Sequence, residues 1–161
     1  MILPDQLKDN LKIVFCGTAA GNKSAESKAY YTGAGNLLYP TLVSCGFTPR
    51  IPKSEEFPNL LDYGIGLTDL VKHHFGMDKD LKQEHYDTKS FEQKILQYQP
   101  QLVCFNGMKA AKVYFNLKYT KQVSYGLQDK TIGMYVAPST SLQSIAYWDE
   151  DIWQHLKNLI N

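Results

Sequence analysis

The 161-residue sequence predicts one α/β domain spanning residues 1–161, built on a central, mostly parallel four-stranded sheet with helices on both faces. Three observations carry that reading. Four short apolar runs, at residues 12–16, 65–67, 102–105 and 134–137, have the length of buried strands rather than of helices. Helix-like stretches separate them, and strand–helix alternation calls for parallel strands covered on both sides. Each run ends in small or polar residues, as the strands of an open sheet do where they meet a ligand crevice.

Taken in order, residues 1–10 are a polar lead-in to the first strand, Lys12-Ile13-Val14-Phe15-Cys16, which stops at Gly17-Thr18-Ala19-Ala20-Gly21. Glycine at both ends of that turn lets backbone approach a ligand closely. Residues 17–35 are rich in Gly, Ser, Ala and Asn and predict a long loop carrying Tyr30 and Tyr31. A helix is expected from Asn36, with Leu37, Leu38, Leu42 and Val43 on its apolar face, Pro40 in its first turn and Gly46 after its end. Ser54 opens a short helix through Leu61, and the second strand, 65–67, has Thr68-Asp69 at its carboxyl end. Residues 73–88 are polar and irregular. Ser90 and Gln93 make a capping box for a helix carrying Phe91, Ile95 and Tyr98, which Pro100 ends. The third strand, 102–105, turns at Asn106-Gly107 into a helix over 108–115. Residues 116–133 are less regular, with one hairpin-like segment at 125–127. The fourth strand, 134–137, leaves through Pro138-Ser139-Thr140-Ser141, and Asp149 caps a last helix that turns Ile152, Trp153, Leu156, Leu159 and Ile160 inward.

Composition narrows the function classes. Seventeen Lys and Arg balance 16 Asp and Glu, a net charge of +1, which excludes a strongly basic scaffold but leaves room for a local patch along a phosphate backbone. Cys16, Cys45 and Cys104 form no C-x-x-C pair, and two of them sit inside strands; they read as small buried hydrophobes in a reducing, cytoplasmic compartment. No apolar run approaches the length of a membrane span, and no signal-peptide pattern starts at Met1. His73 and His74 are adjacent rather than one helical turn apart, and no cysteine pair accompanies them, so neither a metal centre nor another cofactor is expected.

If the strands are parallel, their carboxyl ends open on one edge of the sheet. Gly17 to Gly21, Thr68-Asp69, Asn106-Gly107 and Pro138 to Ser141 then share a narrow polar rim, with Tyr30 and Tyr31 as a wall. A planar, hydrogen-bonding ligand such as a nucleobase suits it.

The segment Phe15-Cys16-Gly17-Thr18-Ala19-Ala20-Gly21 resembles the V-F-C-G-I-N-P-G segment of the mismatch-specific uracil/thymine DNA glycosylases. Gly46-Phe47-Thr48, the run from Leu61-Asp62-Tyr63 to Asp69-Leu70-Val71, Phe105-Asn106-Gly107 and Pro138-Ser139 follow in that family's order, so the resemblance covers residues 11–160. It implies a three-layer α/β/α uracil-DNA glycosylase fold and a monomer that acts on DNA containing uracil or another damaged or mismatched base. Such an enzyme extrudes the base and hydrolyses its N-glycosidic bond without metal or cofactor, leaving an abasic site. The resemblance also aligns Tyr31 with the aromatic on which the family stacks the base.

Two departures shape the expected chemistry. Ala19 stands where the family carries the Asn that positions the attacking water, and Ala137-Pro138-Ser139-Thr140-Ser141 replaces an N-P-S-G type loop. Cleavage develops positive charge on the sugar and negative charge on the leaving base, so the site needs a carboxylate or water-binding acceptor near the sugar and N–H donors near the base. Asp69 is the expected catalytic carboxylate, and Asn106 is the second expected catalytic residue. Backbone N–H groups around Thr18, Ala19 and Gly21, with the Asn106 carboxamide, are the expected base-binding donors. Ser139, Thr140 and Ser141 would follow the groove, the last two as small wedges in the vacated stack, and Lys23 would meet a phosphate.

The same residues carry plainer readings. Asp69 before Leu70-Val71 equally fits a helix N-cap, Asn106-Gly107 a turn, and Tyr30 and Tyr31 ordinary packing. Two other function classes stay open: a catalytically silent relative that binds DNA or its damage, and a nucleotide phosphotransferase. The latter rests on Gly17 to Ser24, a near miss to the phosphate loop with Asn22 where that motif has Gly.

Overall fold

The computed structural model describes residues 1–128 and 133–160. Residues 129–132, within the stretch expected to be irregular, and residue 161 lie outside the described residues. Five strands, β1 (Ile13–Gly17), β2 (Ile65–Asp69), β3 (Leu102–Asn106), β4 (Gly126–Leu127) and β5 (Met134–Ala137), form one sheet in the order β2-β1-β3-β5-β4. β1 pairs in parallel with β2 and β3, and β3 in parallel with β5. These are the four expected parallel strands. The hairpin-like segment adds a fifth, β4, antiparallel to β5 at the sheet edge.

Alternate residues of each strand enter opposite cores, as a sheet buried on both faces requires. One core takes Phe15, Leu67, Cys104 and Tyr135 against α2 (Leu38–Ser44), the 3₁₀ helix Ser54–Tyr63 and α5 (Glu150–Asn158). Its centre is Trp153, fully buried and stacked on Phe15 at 5.4 Å between ring centroids. The other core takes Cys16, Val103, Phe105 and Val136 against Phe91 of α3 (Thr88–Tyr98) and Ala110 and Ala111 of α4 (Met108–Tyr114). The result is the expected three layers.

Three local readings change. The loop expected over residues 17–35 contains a six-residue helix, α1 (Asn22–Ser27), which has no apolar stripe to announce it. Side chains hold it: Ser24 Oγ accepts from the Thr32 N–H, and the hydroxyls of Ser27 and Thr32 lie 2.9 Å apart. Helix α3 begins before the expected capping box, because Asp87 is its N-cap and accepts from the Ser90 N–H at 2.9 Å. Asn36 precedes α2 rather than starting it, yet its side chain accepts from the Leu38 N–H.

Residues 1–6, read as a polar lead-in, lie along the outer edge of β2. Gln6 and Leu67 exchange two backbone hydrogen bonds, and the Ile2 N–H donates to the Lys72 carbonyl. Gly66 makes this approach possible, since a Cβ there would sit 2.7 Å from Leu11 Cδ1 and 2.8 Å from the Gln6 carbonyl oxygen. Gly66→Ala is therefore expected to destabilise the fold by about 1–3 kcal/mol through overpacking. A urea melt unchanged within error would contradict that.

Candidate active site

The strand register brings the expected rim together. Gly17 is level with Asp69, and Asn106 with Ala137, so β1, β2, β3 and β5 end side by side. Asp69 is the last residue of β2 and only 6% exposed. No helix follows it. Leu70 and Val71 instead donate backbone hydrogen bonds to the carbonyls of Gly17 and Thr18, which carries the chain across the end of β1. Asp69 is thus no helix cap, and no described residue donates a hydrogen bond to its carboxyl. Burial pushes that carboxyl up to about 6, against the opposing pull of the Lys72 ammonium.

Gly17 is the floor between two side-chain oxygens. A Cβ placed on it would lie 2.9 Å from Asp69 Oδ1 and 3.3 Å from the Tyr31 hydroxyl. Tyr31 reaches this point from a left-handed backbone conformation, φ +57°, that tyrosine rarely adopts. Its ring is partly exposed, but its hydroxyl is wholly buried and has no hydrogen-bond partner among the described residues. Burial, and then the charge of Asp69, keep that phenol protonated by raising its pKa well above the ordinary tyrosine value.

Asn106 is the third polar group at the rim, and Thr140 engages it. The Asn106 carboxamide donates to Thr140 Oγ1 at 3.0 Å and accepts from the Thr140 N–H at 2.9 Å. The pair fixes the segment leaving β5 against the end of β3. The Asn106 side chain also lies near enough to the Tyr31 hydroxyl to favour that phenol's ionised form, against burial. Thr140, at 1% exposure, is interior, so the wedge expected of its side chain has no surface to act from. Ser141 is partly exposed and its hydroxyl bonds Gln143; Ser139 Oγ accepts from the Ser141 N–H. The bulky apolar side chain on this segment is Leu142, 48% exposed and packed over Gly35.

The first loop divides into parts. The Thr18 side chain is taken up by Asp78, to which it donates at 2.6 Å. The backbone N–H groups of Thr18, Ala19 and Gly21 donate to no described residue and are free to meet a carbonyl or anion. Ala19 is partly exposed and Gly21 exposed. Lys23 lies out in solvent beside Glu26, 3.6 Å away. With the carboxyls of Asp69 and Asp78 beside it, the loop is a poor cradle for a nucleotide's phosphates. A depression lined by Asn22, Ala25, Lys28 and Phe75 adjoins the first loop, and another is lined by Arg50, Glu56 and Tyr63; neither lining includes Asp69, Tyr31 or Asn106.

Behind the rim lies a buried charge cluster that the sequence did not reveal. Asp5 bridges two lysines, Lys72 at 2.8 Å and Lys94 at 2.6 Å, and accepts from Thr68 Oγ1. Lys72 is 7% exposed, donates to the Tyr30 hydroxyl at 3.1 Å and stands 5.5 Å from that ring's centroid. Two cations and one anion leave the cluster one positive charge in excess, which an ionised Asp69 balances. No signal joins Asp5 to Lys72 in the sequence; only the edge pairing of residues 1–6 does.

Among the described residues no three His, Cys, Asp or Glu side chains converge as metal ligands, and no helix is long and apolar enough to cross a membrane. The family model for the uracil DNA glycosylase superfamily matches residues 4–158. Among solved structures, the chain is similar to a Methanosarcina acetivorans protein studied by solution NMR and provisionally named a uracil DNA glycosylase. The two share 20% sequence identity at a TM-score of 0.65, covering 98% of this chain and 96% of that one. That likeness concerns the fold; the sequence match spans both cores and every strand end of the rim, and the chain belongs to the uracil DNA glycosylase superfamily.

Proposed function

We propose that the protein is a monofunctional DNA glycosylase that extrudes uracil, or a related damaged base, and hydrolyses its N-glycosidic bond. The observation that carries the reading is Asp69: a buried carboxyl, uncapped and unbonded, facing the space over Gly17 at the end of a parallel sheet in a member of this superfamily. Its charge would oppose the positive charge that grows on the sugar as the bond to the base lengthens. The N–H groups of Thr18, Ala19 and Gly21, with the Asn106 carboxamide, would receive the negative charge on the base. Leu142, rather than Thr140 or Ser141, is the side chain suited to fill the vacated stack. The motif order supports a place beside the mismatch-specific uracil/thymine branch.

The test is release of free base from labelled oligonucleotides, single-stranded and paired, carrying uracil, thymine opposite guanine or other damaged bases. Uracil release that persists in EDTA is the expected result. Activity abolished by chelation and restored by zinc or magnesium would overturn the reading. A gel shift with no base released would identify a binding relative instead.

A further inference from the structure

We propose that α4 and the 3₁₀ turn packed on it, Thr120–Gln122, form a surface for the single strand of DNA that flanks the base in the site. Lys109, Lys112, Lys118 and Lys121 would meet its phosphates and Tyr119 one of its bases; this rests on the glycosylase reading above.

The first observation is the distribution of charge. No Asp or Glu lies between Glu92 and Asp129, a stretch with five lysines, so a chain of net charge +1 concentrates positive charge here. Asp5 takes Lys94, and the other four lysines pair with no carboxylate among the described residues. The carboxylates that border the surface are engaged elsewhere: Asp78, which faces Lys109, accepts from Thr18, and Glu92 accepts from Tyr114. The second is the lysine pair on α4, a helix that starts directly after Asn106 and Gly107 at the rim. Lys109 and Lys112 are one turn apart and half-buried. Burial and the Lys112 ammonium hold the Lys109 ammonium below its ordinary value. Two like charges kept that close are relieved by an anion they share.

The third is Tyr119, which belongs to neither core and is 50% exposed. Gln122 Oε1 fixes the backbone beneath it, accepting from the N–H groups of Lys118 at 3.0 Å and Tyr119 at 2.9 Å. Lys118 Nζ stands 5.3 Å and Lys121 Nζ 5.4 Å from the centroid of its ring. An exposed cation–π contact is worth about two- to fivefold in an equilibrium, and a base stacked on the ring about fivefold or more. An arriving strand therefore wins the exchange: each ammonium turns to a phosphate and a base takes the ring. Bases within a duplex are covered by their neighbours, so a free aromatic face selects an unpaired strand.

The test is fluorescence anisotropy of a short labelled oligodeoxycytidine, which holds no uracil, titrated at several salt concentrations. Tyr119→Ala is expected to weaken binding by about fivefold or more with the salt dependence unchanged, and Tyr119→Phe to bind as wild type, because the ring face stacks. Lys118→Gln with Lys121→Gln, and Lys109→Gln with Lys112→Gln, should each flatten the slope of log K against log salt by about 1.4, the loss of two phosphate contacts. Lys8→Gln with Lys53→Gln makes the same change of net charge on exposed lysines outside the surface and should leave the slope as it is. Lysine variants that behave like this control, or Tyr119→Ala binding like wild type, overturn the inference while the glycosylase reading stands. A protein that releases no base, yet loses strand binding in these variants, overturns the glycosylase reading, and with it the place of the strand beside an extruded base.

Discussion

Asp69→Asn is expected to lower turnover on uracil DNA by about 10²-fold or more while making the protein more stable near neutral pH. Both effects have one source. Burial raises the Asp69 carboxyl from 3.8 to about 6, so the ionised form is the one the fold disfavours. At about 1.4 kcal/mol per unit, keeping it charged costs the native state on the order of 2–3 kcal/mol. The sign follows: the cost is absent below the unfolded carboxyl's pKa, grows as pH rises from about 4 to 6, and is full above that. Lys72 and Lys94 face Asp69 with positive charge and Asp5 with negative, while Tyr31 and Cys16 stay neutral because burial raises both. Asp69→Asn should therefore melt several degrees higher near pH 7 and the gain should vanish near pH 4. Wild-type turnover should fall as pH drops through about 6, where the carboxylate takes a proton. Melting curves and single-turnover rates across that range measure both. If the variant melts lower and keeps full turnover, Asp69 is structural, and Asn106 or Ser139 inherits the catalytic role.

The largest loss of stability is expected from Asp5→Ala. It leaves Lys72 at 7% exposure with the Tyr30 hydroxyl as its one hydrogen-bond partner and only the charge of Asp69 to offset it, and breaking a buried ion pair costs about 3–5 kcal/mol. Lys94→Met should cost less, since Lys94 is 22% exposed and Asp5 keeps Lys72. Burial alone would raise the Asp5 carboxyl, but hydrogen bonds from Lys72, Lys94 and Thr68 outweigh it and hold it below its ordinary value. Its contribution is thus complete above that ordinary value and fades as pH falls through the lowered one. Urea titrations of Asp5→Ala and Lys94→Met at neutral pH give the comparison. An Asp5→Ala protein within about 1 kcal/mol of wild type would show that Lys72 reaches solvent when released.

What the sequence displayed depended on how local the cause was. Four strands and their common rim were legible because each is a short apolar run ending in small or polar residues, and Asp69 and Asn106 stand at those ends. Asp149 was legible as a cap for the same reason, its bond to the Asp151 N–H being two residues away. Helix α1 was not, because its six residues carry no apolar period and are held by hydroxyls. The buried state of Thr140 was hidden too: Asn106, which bonds it twice, is distant in sequence. The Tyr31 hydroxyl escaped notice because an aromatic among glycines advertises its ring, whereas its placement comes from a left-handed backbone turn.

The edge pairing of Gln6 with Leu67 bears on how the protein stays apart from its neighbours. Strand β2 ends the sheet on one side and β4, only two residues long, on the other. A long bare edge strand is a template for a second chain. Here residues 1–6 occupy that template with backbone bonds of their own and anchor it with the doubly paired Asp5. Clipping those residues by a protease would strip the backbone partners from the outer N–H and C=O of Leu67, take Leu3 out of its core and leave Lys72 without Asp5. A nicked chain would thus bare an edge strand and lose stability together, the combination that favours strand-to-strand aggregation.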